Sequence, residues 1–74
     1  MKNERKERFN RVAAKRVEKI LYYLNLLGNC SNPHNYEYGK EEVDKMFREI
    51  QKAVSIAKKR FEIELSKNNK NFNF

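Results

Sequence analysis

Apolar residues recur every three or four positions over two long stretches of this chain, and neither stretch contains a proline or an internal glycine. In the first, Phe9, Ala13, Val17, Ile20, Leu24 and Leu27 are spaced 4, 4, 3, 4 and 3. In the second, Val43, Phe47, Ile50, Val54, Ala57, Phe61 and Leu65 are spaced 4, 3, 4, 3, 4 and 4. An α-helix turns ~100° per residue, so this spacing lays each set along one face, whereas a half-buried strand alternates at every second residue. The pattern predicts an all-α chain of two amphipathic helices, over about 3–27 and 39–67, paired as an antiparallel helical hairpin.

The residues around each stretch fit helix ends. Gly28 directly follows Leu27, where a left-handed stop is favoured because glycine carries no Cβ. Glu41, Glu42 and Asp44 crowd the expected start of the second helix, where the backbone dipole favours negative charge. Glu42 stands three residues after Gly39 and can fold back onto its amide, half of a capping box because glycine has no side-chain oxygen. Lys58, Lys59 and Arg60 fall toward the far end, again in the sense of the dipole. Residues 66–74 are rich in Asn and Lys and are expected to fray, carrying Phe72 and Phe74 with them.

Seventy-four residues make a single domain, expected over 1–74, of the size at which one core supplies only ~3–5 kcal/mol. A single cysteine excludes an internal disulfide as reinforcement. The alternating threes and fours match a bundle seam. Leu21, Leu26, Met46 and Ile56 lie outside the main seams and stay partly wet in an isolated hairpin. A homodimer forming a four-helix bundle covers them. The alternative is that the connecting loop folds back over the hairpin end.

No apolar run approaches the ~18 residues of a membrane span. The charged start also holds Glu4 and Glu7, unlike a signal peptide. The lone thiol suits a reducing compartment, so the expected location is cytoplasmic. Net charge is +7, and residues 1–19 hold eight Lys/Arg against three acids. Such asymmetry points to an anionic partner, against the alternative of a solubilising face. Arg8, Arg11, Lys15 and Lys19 are spaced 3, 4 and 4, and Tyr22 follows. Four cations in line can track phosphates, and an aromatic can stack on a base. No helix-turn-helix spacing or glycine-rich binding loop accompanies them.

Between the helices, residues 28–38 collect the only proline, the only cysteine and the only histidine. A Cys30–His34 nucleophilic pair lacks an orienting third group and an oxyanion site. Two ligands are also short of the four that zinc takes. No catalytic residue, metal or cofactor is therefore assigned, and Cys30 is expected to be a small buried hydrophobe. Asn29, Asn32 and Asn35 can bond nearby backbone groups, and Pro33 forces Asn32 out of the helical region. Tyr36 and Tyr38 alternate along an extended step, so one is expected to pack and the other to face outward. The loop is then either a structural cap or a recognition surface made of Asn29, Asn32, His34, Asn35, Tyr36 and Tyr38.

The run Leu27-Gly28-Asn29-Cys30-Ser31-Asn32, followed by Tyr36-Glu37-Tyr38 and the helix start Glu41-Glu42-Val43-Asp44-Lys45-Met46-Phe47, resembles a group of small proteins. These are carried by phages, plasmids and conjugative elements of Firmicutes and have no assigned activity. The resemblance spans roughly Arg8 to Phe61. It departs at Gly39, where those proteins often have Ser or Thr. It implies an accessory protein of a mobile element. The expected function is non-enzymatic binding of an anionic partner: nucleic acid, a nucleotide or a nucleoprotein. The alternative is a protein–protein inhibitor of a host defence system, such as an anti-CRISPR, acting through the 28–38 loop. The expected partner is nucleic acid or a nucleic-acid-dependent host protein, and the two readings hold together if the target is a nucleic-acid-dependent defence enzyme.

Overall fold

The computed structural model describes residues 3–72, with side chains through 67. The fold is all-α, with α1 over Glu4–Asn29 and α2 over Lys40–Phe72 in the element order of a helical hairpin. There is no strand among the described residues. The chain divides into two compact units, Met1–Glu37 around α1 and Tyr38–Phe74 around α2.

Both helix starts are made by the residues that the chemistry of capping prefers. Asn3 is extended at φ −97° and ψ 91°, and its side chain accepts from the Lys6 amide at 3.0 Å. Its carbonyl accepts from the Glu7 amide at 3.1 Å, closing the first turn. At α2 the arrangement is reversed. The Gly39 amide donates to Glu42 Oε1 at 2.8 Å, the half capping box expected from sequence. Each helix thus carries one half of that box: α1 the capping side chain without a glutamate, α2 the glutamate without a capping side chain.

The end of α1 corrects an expectation. Gly28 does not adopt a left-handed conformation; it lies within the helix, which continues to Asn29 and caps on Cys30 at φ −71° and ψ −4°. The Cys30, Ser31 and Asn32 amides then donate to the carbonyls of Leu27, Gly28 and Asn29, at 2.9, 3.1 and 3.4 Å. Such i→i+3 bonds tighten a last turn. The obligatory stop is Pro33, which has no amide hydrogen and pushes Asn32 off helical geometry. Glycine only permits a left-handed exit; proline compels one kind of exit or another.

Consequently the connection runs from Cys30 to Gly39 and not from 28 to 38. Its centre is a turn over Asn32-Pro33-His34-Asn35, with Asn first and Pro second, the residues that a type I turn favours there. The Asn32 carbonyl accepts from the Asn35 and Tyr36 amides at 3.2 and 3.1 Å. Its side chain accepts from the His34 amide at 3.0 Å.

α2 is longer than expected, since Lys40–Phe72 holds neither proline nor glycine to end it. Of the tail placed at 66–74, Ser66–Phe72 have helical backbone, while Asn73 and Phe74 lie outside the described residues. Among the described side chains of α2, Lys40 pairs with Asp44 at 2.6 Å and Lys67 with Glu64 at 3.3 Å, both at the surface.

Among the described residues no side chain is fully buried. Ala13 and Leu27 on the α1 stripe, and Val43 and Ile50 on the α2 stripe, are half-buried. Further along the stripes, Val17, Ile20 and Val54 remain 52%, 56% and 57% exposed. Cys30 is exposed too, contrary to the buried role expected of it. The extra helical residues Gly28 and Asn29 carry it to the cap position at the end of α1, a helix in which no described side chain is buried.

Candidate anionic-partner interface

The cations of α1 form a face wider than the predicted row. Arg8, Arg11, Lys15, Lys19 and Tyr22 are all exposed on α1. At ~100° per residue, Arg5 and Arg16 fall beside that row, and Tyr23 falls beside Tyr22. All of them occupy a sector of about 140° on the helix surface. Of the acids of this helix, Glu4 falls within the sector at its N-terminal end, one turn before Arg8, while Glu7 and Glu18 sit just outside its edge.

Two parallel ridges cross this face. One is Arg11–Lys15–Lys19 and the other Arg8–Val12–Arg16, each built from i, i+4 steps, and a groove runs between such ridges. Here it is a shallow concavity of about 230 Å³ lined by Arg11, Val12, Lys15, Arg16 and Lys19. Val12, like its neighbour Ala13, is half-buried among exposed residues; long cationic side chains cover apolar surface with their methylene stems while their heads stay in water. Both walls carry positive charge and the floor is apolar.

Among the described residues these cations are not consumed by ion pairs: the pairs formed, Lys40–Asp44 and Lys67–Glu64, both lie in α2. At the C-terminal end of the face, the Tyr22 and Tyr23 rings meet edge to face, with centroids 5.5 Å apart and planes at 72°. They are 58% and 64% exposed. Arg16, Val12 and Tyr23 escaped the sequence reading because it followed a single i, i+3/i+4 row. Projecting every cation onto the helix circumference would have found them.

The loop residues are arranged differently. Asn29 ends α1 instead of opening the loop. Asn32 organises the turn through both its carbonyl and its side chain, and Asn35 supplies an amide to it. His34, Asn35 and Tyr36 are exposed. Tyr36 is 52% exposed and Tyr38, which opens the second unit, 46%, so the expected division into one covered and one outward ring is not seen.

Among the described residues no group of three His, Cys, Asp or Glu side chains is placed to hold a metal ion. No helix among them is long and apolar enough to cross a membrane. No family model, curated protein or solved structure matches the chain.

Proposed function

We propose that this chain is a non-enzymatic binding protein that takes a nucleic-acid partner, bare or within a nucleoprotein, on the basic face of α1. The observation that supports it most is the groove of Arg11, Lys15, Arg16 and Lys19 around Val12. Cations gathered on one face, with no carboxylate inside it between Arg8 and Lys19, interact with phosphates at close range and steer their approach at long range. The exposed apolar stripes of both helices support a further part of the reading, association of two copies into a four-helix bundle that would display two such faces. The resemblance to proteins of mobile elements sets the proposed location, the cytoplasm of a bacterial host.

Charge reversal tests this reading. Lys15→Glu with Lys19→Glu lies on the solvent side of α1, so helix content by circular dichroism is expected to persist. Affinity for nucleic acid at low salt is expected to fall at least a hundredfold. Unchanged affinity in that variant, or no binding by the wild-type chain, contradicts the reading.

The second reading is inhibition of a host defence protein through the loop. It is favoured by the turn at Asn32–Asn35, which is ordered by its own hydrogen bonds and holds Tyr36 half exposed. Pull-down from host lysate with and without nuclease separates the two. Retention of the partner after nuclease, and its loss on Tyr36→Ala, supports the loop. Loss after nuclease supports the basic face.

A further inference from the structure

Resting on the basic-face reading, we infer that the preferred ligand is a nucleic-acid duplex that ends in unpaired bases, with the duplex backbone along the cations and the first unpaired base on the tyrosine pair. Three features carry this. The first is charge density. Arg5, Arg8, Arg11, Lys15, Arg16 and Lys19 lie within ~21 Å of helix, an average axial spacing of about 4 Å, comparable with the ~3.4 Å of duplex axis per phosphate of one strand.

The second is the groove itself. Its cationic walls and half-buried Val12 floor fit a sugar–phosphate strand, with phosphate oxygens accepting from the walls and the sugar's carbon edge against the floor. The third is the placement of aromatics. A protein that grips single strand along its length interleaves aromatic rings with cations, so that successive bases stack. Here the basic sector holds no ring between Arg5 and Lys19, and then two together at its end, in edge-to-face contact and more than half exposed. Bases inside a duplex are stacked on both faces and offer none to a tyrosine; the first unpaired base does.

The ligand series for the test is a 20-base-pair duplex in four forms: closed at both ends by non-nucleotide linkers, blunt, and with a six-nucleotide 3′ or 5′ tail. A single strand of matching length completes it, all in DNA and in RNA, with fluorescence anisotropy of the full chain as readout. We expect a tailed duplex to bind about tenfold more tightly than the closed one, the scale that one base–aromatic stack supplies. The Tyr22→Ala, Tyr23→Ala double variant is expected to bind the closed and the tailed duplex within twofold of each other. Equal binding of closed and tailed duplexes by the wild type overturns the inference and leaves the basic-face reading standing. So does tightest binding to the single strand, or a tail preference that survives in the double variant. No binding to any member at 50 mM salt overturns both.

Discussion

Gly28 and Gly39 hold opposite meanings despite similar positions at helix ends. A Cβ built on Gly28 meets nothing within 4 Å, and its backbone is helical. Gly28→Ala therefore removes the ~1 kcal/mol penalty of helical glycine and adds no clash. Chemical denaturation is expected to show a gain of about 0.5–1 kcal/mol. A loss of that size would instead mark the left-handed stop that the sequence suggests. At Gly39 a Cβ lies 3.3 Å from Glu42 Oε1, the mobile end of a side chain, and φ is not positive. Gly39→Ser completes the capping box and is expected to add a few tenths to about 1 kcal/mol. Glu42→Ala removes the acceptor of the Gly39 amide and is expected to cost about 0.5–1 kcal/mol, read in the same denaturation experiment.

At the scale of the element, α1 carries an apolar stripe, the side expected to pack, and a charged face on the other side of one cylinder. Periodicity made the packing side legible, because apolar spacing of three and four has only one helical interpretation. The two-helix order and the cap at Glu42 were legible for the same local reason. The exit of α1 was not. Gly28 and Pro33 both signal an end, and which one acts depends on whether the i→i+3 bonds of Cys30, Ser31 and Asn32 form. The charged side was half legible, since the row from Arg8 to Lys19 holds one whole ridge but only Arg8 of the other, and a groove needs both. Arg16 decides between them. Arg16→Ala is expected to lower nucleic-acid affinity severalfold at 100 mM salt and to reduce the salt slope by about 1, as one lost phosphate contact does. No change there would restrict the interface to Arg8, Arg11, Lys15 and Lys19.

For the whole molecule, the decisive quantity is how much apolar surface each chain leaves to another. Ile20 and Val54 are more than half exposed, and a chain of this size has little core in reserve. Sedimentation equilibrium is expected to give twice the 9.0 kDa chain mass, with a melting temperature that rises with concentration because association favours the folded state. A monomer at 100 μM with a concentration-independent melting temperature would contradict association. The central claim concerns the basic face, and salt tests it most directly. About six phosphate contacts give a slope of log affinity against log salt near −5, hence a loss of about a thousandfold between 50 and 200 mM. Titration of a tailed duplex across that range is expected to give this slope for the wild type and one nearer −3 for Lys15→Ala with Lys19→Ala. A wild-type slope near zero, or one that the double variant leaves unchanged, would contradict the account.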